Sequence, residues 1–378
     1  MEKISVIGIG KLGLCFSLSL ESAGYDVVGV DINESYVKLI NDKMFISSEP
    51  MVNELLEVSQ NFIATTDLTK AVEHSDMIFV IVATPSLANG RYNHTQIESL
   101  CDSLLSMGPM PSTKHLIINC TTMPGYCDEL QSRIKQNNWT VSYNPEFIAQ
   151  GTIIANQENP DMVLIGEADM VIGDRLQKLY EAMTMNTPRI HRMTPTEAEI
   201  TKIALNCFLT TKISYTNMIG DIVLASGGRP QVVLDAVGAD TRVGSKLTRY
   251  GFGYGGPCFP RDNRAIGIYA QDIGMPADIS IATDEINAKH LEFQIKDFTE
   301  NHAVTTQLAF GECRDPNFLV FENVTYKKGS VMIEESQQLA FAVAVAKLGY
   351  PVTIIDCEEV IESVRQIHGD LFSYVESP

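Results

Sequence analysis

Short apolar runs rich in β-branched residues recur through the first half of the chain: ISVIGIG from Ile4, DVVGVD, NFIATT, MIFVIVAT, HLIINCTT and WTVSYN. They are nearly continuous rather than alternating. Each is followed by enough residues for a crossover helix, so the pattern predicts a mostly parallel sheet covered on both faces. From Lys3 to Asp31 the order is strand, glycine turn, helix, strand, which is one βαβ unit.

The pattern changes at Thr194. Thr194-Pro195-Thr196-Glu197 puts a threonine at the N-cap, proline at the first helical position and glutamate at the third, a capping box. Helical spacing then continues to Gly227-Gly228, where a helix should stop, long enough to serve as a spine between domains. A glycine-rich loop, GFGYGGPCFPRD, and a second helical stretch, DISIATDEINAKHLEFQIKDF, follow. Strand-like runs return at FLVFEN and PVTIID with the helical segment IEESQQLAFAVAVAKLG between them. The expected architecture is α/β in three parts. Residues 1–193 form a doubly wound, Rossmann-type domain, 194–298 a central long-helix segment, and 299–378 a second, smaller, truncated Rossmann-like domain.

At 378 residues the chain has room for two or three domains, and 45% hydrophobic with 20% charged residues is the balance of a globular protein with a sizeable core. The formal net charge of −19 argues against nucleic acid or an anionic membrane as partner. No apolar run approaches the ~20 residues that cross a bilayer. The N-terminal apolar stretch is broken by glycines in a strand-turn-helix pattern, so no signal peptide is expected. Eight cysteines without a CxxC pair suggest neither a disulfide framework nor a metal site, which fits a reducing cytoplasm.

GIGKLG places Gly8, Gly10 and Gly13 between a strand and a helix, and Asp31 ends the next strand. Gly8 permits the tight turn, Gly10 lets a pyrophosphate approach the backbone, and Gly13 allows close helix–strand packing. Asp31 would accept from the ribose hydroxyls, favouring NAD over NADP. Cys258, in GGPCFPRD, sits among glycines that open the backbone and prolines that stiffen it, with Arg261 nearby. Locally it reads either as a nucleophile or as an inert thiol. Lys202 and Asn206 share a helix face and are suited to holding an anionic oxygen, or are simply surface groups. Asp262 is a candidate base or a partner for that lysine.

Together these residues resemble the UDP-glucose/GDP-mannose dehydrogenase family. The resemblance runs through GIGKLG with Asp31, Glu49-Pro50, Thr65-Thr66-Asp67, Ser75-Asp76, Ala83-Thr84-Pro85, Thr121-Thr122-Met123-Pro124-Gly125, Asn144-Pro145-Glu146-Phe147, Asn159-Pro160-Asp161, the Lys202/Asn206 helix and GGPCFPRD. It implies oxidation of a sugar C6 alcohol to a carboxylate by two NAD molecules, for polysaccharide biosynthesis, with UDP-glucose the leading substrate. By this likeness Cys258 carries a thiohemiacetal and then a thioester, Lys202 and Asn206 stabilise oxyanions, and Asp262 orients water or takes a proton. Glu146 with Thr122 assists proton transfer. NAD would lie along Gly8, Ile9, Gly10, Lys11, Leu12, Gly13, Asp31, Ala83, Thr84, Pro85, Thr121, Thr122, Gln150 and Arg261. The sugar nucleotide would meet Glu146, Phe147, Ile148, Lys202, Asn206, the loop Tyr250, Gly251, Phe252, Gly253, Tyr254 and Gly255, then Tyr326 and Lys327, with Arg242 supplied across a homodimer built on the 194–226 helix.

The sequence departs from the family pattern in places. Gln150 stands where the family's NPEFLxEG has a second acid, and Arg261 where CFPKD has lysine. Val324 to Ser336 is only a worn form of AFKPxTDDxRES, with Glu334 at the arginine position and an early end at Pro378. Two other readings stay open: a two-electron alcohol or hydroxyacid dehydrogenase in which the thiol is dispensable, and a nucleotide-binding regulatory protein without turnover.

Overall fold

The structure, a computed structural model, describes residues 1–301 and 319–377. The chain divides into two compact units, 1–202 and 203–378. The first is built on one eight-stranded sheet in the order β3-β2-β1-β4-β5-β6-β7-β8. Its strands are β1 (Lys3–Ile7), β2 (Asp26–Val30), β3 (Phe62–Thr65), β4 (Met77–Val80), β5 (Lys114–Ile118), β6 (Trp139–Tyr143), β7 (Met162–Gly166) and β8 (Arg189–Met193). The pairings from β3 through β6 are parallel, whereas β7 meets β6 antiparallel at Tyr143 and Gly166.

The continuous apolar character of these strands has its cause in burial on both faces. In β4, Met77 and Phe79 join one core with Phe16 of α1 (Lys11–Ser22). Ile78 and Val80 join the opposite core with Leu116, Ile118 and Trp139. The doubly wound expectation is therefore met, with the antiparallel β7 as an addition. Strands β7 and β8 are not among the runs read from the sequence. RIHRM at β8 carries three basic side chains on a sheet edge, where Arg192 pairs with Glu167 at 2.7 Å and Asp174 at 2.5 Å.

Helix α2 (Glu34–Asn41), α3 (Val52–Val58), α4 (Leu68–His74), α5 (Thr95–Ser106), α6 (Tyr126–Ile134), α7 (Ile153–Glu158) and α8 (Met170–Met183) complete the first unit, and α9 (Pro195–Ala225) begins in it. The capping box is formed: Thr194 donates its backbone N–H to Glu197 Oε2 at 2.9 Å and its hydroxyl to the same oxygen at 2.7 Å. At the other end Gly227, at φ +76°, donates to Leu224 O, and Gly228 donates to Val223 O, a Schellman stop.

The second unit continues α9 and adds α10 (Pro230–Gly238), α11 (Phe259–Asp272), α12 (Asp278–Asn301), α13 (Gln337–Lys347) and α14 (Glu358–His368). Its parallel sheet has three strands in the order β11-β10-β9: β9 (Leu319–Glu322), β10 (Val352–Asp356) and β11 (Ser373–Glu376). Phe298, Phe321 and Phe341 centre its core. Residues 203–298 and the terminal strands, expected as separate parts, thus pack in one unit. Helix α13 begins later than the segment from Ile333 suggests, because Ser336 is its N-cap and accepts from Leu339 N. Phe318 and Cys313 lie outside the described residues. No helix among the described residues is long and apolar enough to cross a membrane.

Candidate active site

The predicted cofactor residues of the first unit collect at the carboxyl ends of its parallel strands: Gly8 after β1, Asp31 after β2, Ala83, Thr84 and Pro85 after β4, Thr121 and Thr122 after β5. Strand order reverses between β1 and β4, where doubly wound folds bind nucleotides. Gly8 adopts φ +88°, and a Cβ there would stand 2.4 Å from Ile81 O. A Cβ on Gly13 would stand 1.9 Å from Gly8 O, so α1 approaches β1 only because Gly13 has none. At Gly10 a Cβ would meet nothing within 4 Å, and Gly10 caps α1 with no side-chain hydrogen bond. The first-turn N–H groups of Lys11, Leu12 and Gly13 lie at the positive end of the helix, where a pyrophosphate could be held. Ile9 is buried, and its carbonyl accepts from Tyr36 Oη at 2.8 Å. Asp31 accepts from Asn33 N at 3.0 Å, keeping its carboxylate at the strand end. Thr84 is buried, and Ala83 donates its N–H to Gln96 Oε1 at 3.2 Å. Beside Gln150, Gly151 donates its N–H to both oxygens of the buried Glu49, at 2.8 and 3.0 Å.

Glu146 follows β6. The residue is half-buried, but its Oε1 is sealed from solvent and has no hydrogen-bond partner. Burial pushes its carboxyl from 4.5 up to about 7, against the opposing pull of Asn119 and the Lys202 ammonium. Lys202 Nζ donates to the Glu146 carbonyl at 2.5 Å and lies 4.5 Å from the centroid of the Phe147 ring. A carboxyl that changes charge near neutrality beside a fixed cation is suited to carrying protons. Ile148 packs with the Phe16 core.

Thr122 is fully buried and donates its hydroxyl to Glu199 Oε1 at 2.8 Å. Glu199, on α9 and equally buried, also accepts from Cys127 N at 3.0 Å and Gly125 N at 2.6 Å. It thereby caps α6, fixing the turn that carries Thr121 and Thr122. Burial raises its carboxyl, and these donors oppose the rise. Glu199 is missing from the sequence-derived site because it comes from a distant helix and carries no local signal.

In the second unit Asn206 donates to Asp262 Oδ2 at 2.6 Å, and Cys207 Sγ lies 3.3 Å from Asp262 O. Asp262 is buried, with Arg261 Nε 3.5 Å from Oδ1. Cys258 is the N-cap of α11, and it alone is exposed among the described cysteines. Burial raises the thiols of Cys15, Cys101, Cys127 and Cys207, the inert state of a structural cysteine.

The loop before Cys258 is held by a dense polar set. Asn287 accepts from Tyr254 N and donates to Tyr254 O, at 2.9 and 3.0 Å, and Asn217 accepts from Gly251 N and donates to Phe252 O, both at 3.3 Å. Tyr250 donates to Asp221 at 2.7 Å, and His290 bridges Asp221 and Gly251 O. A Cβ on Gly253 would stand 2.2 Å from Asn287, one on Gly255 2.2 Å from Glu335 O, and one on Gly256 2.3 Å from the Tyr326 ring. The glycines therefore let the loop seat against α12 and the 326–335 segment. Arg264 pins that arrangement through Asp284 at 2.8 Å and Glu335 at 2.7 Å. Tyr326 is raised by burial and then by the charge of nearby Cys258. Lys327 is exposed. Arg242 is exposed and forms a two-bond pair with Asp240 at 2.8 and 3.0 Å.

The glycine turn with its acid after β2 defines a dinucleotide-binding domain of the Rossmann class. The UDP-glucose/GDP-mannose dehydrogenase family, NAD binding domain, matches residues 2–184, and its central domain matches 196–289; the chain belongs to this family. It is 29% identical to the GDP-mannose 6-dehydrogenase of Pseudomonas savastanoi pv. phaseolicola over 391 residues, covering 99% of this chain and 84% of that protein. It is 31% identical to UDP-glucose 6-dehydrogenase TuaD of Bacillus subtilis over 298 residues, 76% of this chain and 63% of that protein. A UDP-glucose dehydrogenase structure from Pyrobaculum islandicum superposes with TM-score 0.86 at 26% identity, covering 100% of this chain and 87% of that one. The protein is an NAD-dependent oxidoreductase of the nucleotide-sugar dehydrogenases.

Proposed function

We propose that the protein oxidises the C6 alcohol of UDP-glucose to the uronic acid, a four-electron reaction through a thioester on Cys258. The observation that carries this reading is an exposed thiol at the N-cap of α11, where the helix dipole favours negative charge, at the end of a loop fixed by Asn217 and Asn287. NAD, held by the Gly8–Gly13 turn and Asp31, supplies the hydride acceptor for each two-electron oxidation. Glu146 takes the C6 hydroxyl proton as the alcohol becomes an aldehyde, while Lys202 and Asn206 stabilise charge on the oxygen. The Cys258 thiolate adds to the aldehyde carbon, giving a thiohemiacetal. Loss of a second hydride to NAD and of the hydroxyl proton gives the thioester. Water directed by Asp262 hydrolyses it to the carboxylate and restores the thiol. Because Thr122 gives its hydroxyl to Glu199, we assign the proton transfer to Glu146 alone.

The two-carboxyl arrangement usual at the loop after β6 is reduced here to Glu146, since Gln150 cannot act as a base. The sugar nucleotide is read onto the loop from Tyr250 to Gly255, with Phe147, Tyr326 and Lys327 as further contacts. A homodimer through α9, with Arg242 reaching the partner's site, is supported by apolar Phe208, Tyr215 and Ile222 on that helix, exposed at 68%, 52% and 55%. We read the enzyme as cytoplasmic and its product as a polysaccharide precursor. Assayed against UDP-glucose, the UDP-N-acetylhexosamines and GDP-mannose, the purified protein should show at least ~10-fold higher kcat/KM with UDP-glucose. A GDP-mannose preference would overturn the substrate.

Glu146→Gln should slow turnover by about 10²–10⁴-fold and remove an acid-side limb near pH 7, below which the wild-type base is protonated. Stability should move the other way. The folded carboxyl titrates above its ordinary 4.5, so the native state holds more protons between pH 4.5 and about 7, and wild-type stability falls as pH rises through that window. Glu146→Gln escapes this and should be more stable than wild type above pH 7 by about 1–3 kcal/mol, with no gain below pH 4.5. Thermal melts at the two pH values check it.

A further inference from the structure

Beside Glu146 lies a small cavity with about 10 Å³ of room for a water-sized sphere, whose lining includes Glu146, Gln157, Tyr180, Pro145 and Val163. It is about the size of a single water and too small for any part of a sugar nucleotide. Two of its lining residues each carry a buried polar atom without a hydrogen-bond partner: Glu146 Oε1, an acceptor, and Gln157 Nε2, a donor. Gln157, on α7, is 2% exposed, and its other amide atom, Oε1, accepts from Ser19 Oγ of α1 at 3.0 Å. Tyr180, another polar residue of the lining, donates its hydroxyl to Asn144 Oδ1 at 2.7 Å and keeps lone pairs to accept with. Two unsatisfied groups of opposite polarity beside one water-sized hole are an arrangement that a water completes, since a buried donor or acceptor left bare destabilises the fold.

We propose that Gln157 is a positioning residue for Glu146, acting through one internal water that accepts from Gln157 Nε2 and donates to Glu146 Oε1. Ser19, Gln157 and this water then tie the carboxyl to α1, the helix whose N-terminus forms the dinucleotide cradle. The inference rests on the reading of Glu146 as the proton carrier of the reaction. The groups facing the carboxyl are Lys202 from α9, Asn119 after β5, Tyr180 from α8 and, through the water, Gln157 from α7. The water's donation favours the carboxylate, so it works with Lys202 against burial. Without it the carboxyl stays protonated to higher pH.

The test reads the carboxyl itself, on the full chain without substrate, so that it stands apart from any failure of the proposed chemistry. Infrared difference spectra would follow the C=O stretch of protonated Glu146, assigned by its loss in Glu146→Gln. In Gln157→Leu, which replaces the amide by an apolar group of similar size, the midpoint should rise by about half a pH unit or more. Ser19→Ala, which frees the Gln157 amide, should shift it in the same direction by less and serves if Gln157→Leu does not fold. A high-resolution crystal structure should show one water in contact with both atoms. An unchanged midpoint in the folded variant, or a dry cavity in the wild type, overturns the proposal.

Discussion

Replacing Cys258 by alanine is expected to abolish net turnover, lowering steady-state NADH formation by at least about 10³-fold, while leaving the fold intact. The thiol is exposed, so its removal opens no core cavity, and stability should stay within about 0.5 kcal/mol of wild type. In the proposed sequence the first oxidation is reversible and leads to a bound aldehyde. With no thiol to capture it, the reaction returns to the alcohol. Binding of NAD and of sugar nucleotide should persist, because the cradle at Gly8–Gly13 and the loop held by Asn287 and Asn217 are untouched. Stopped-flow absorbance and isothermal titration separate the two effects. Steady turnover by Cys258→Ala would mean a two-electron enzyme in which the thiol is dispensable.

Glu199→Ala should be the most damaging change to the first unit's stability. Its carboxylate is fully buried and accepts from Thr122 Oγ1, Cys127 N and Gly125 N. Alanine leaves all three donors bare, at about 1–3 kcal/mol per orphaned group, with partial relaxation bringing the total to about 3–5 kcal/mol. That is a large share of the ~5–15 kcal/mol that usually separates folded from unfolded states. Glu199→Gln keeps one good acceptor but turns an amide N–H toward other donors, so it should lose roughly half as much. Urea unfolding followed through Trp139, buried in the core beside α6, would measure both.

The parts legible in the sequence are those with short-range causes. The Gly8–Gly13 turn, the capping box at Thr194 and the stop at Gly227 each depend on residues within a few positions, and each is present as read. Lys202 and Asn206 share a helix face because both lie on α9, one turn apart. What escaped reading depends on distant partners. Strand β8 is an edge carrying Arg189, His191 and Arg192, the last paired with Glu167 and Asp174, so no apolar pattern marks it. Glu199 resembles any helix glutamate until α6 is brought to it, 74 residues from Gly125. Glu335 and Arg264, 71 residues apart, likewise reveal their role only when the 326–335 segment folds onto the glycine loop. The raised carboxyl of Glu146 is invisible in NPEF, since it comes from the sealed surroundings of one oxygen.

In the proposed reaction one exposed thiol carries a sugar through two successive oxidations on the same protein. Purified protein, excess NAD and a limiting, weighed amount of UDP-glucose, run to completion, give the count directly from absorbance at the NADH band and from the product's charge by anion exchange. Two NADH per sugar nucleotide are expected, with the uronic acid as the sole sugar product; one NADH per sugar, with an aldehyde accumulating, would mean that oxidation stops after two electrons and that Cys258 carries no thioester.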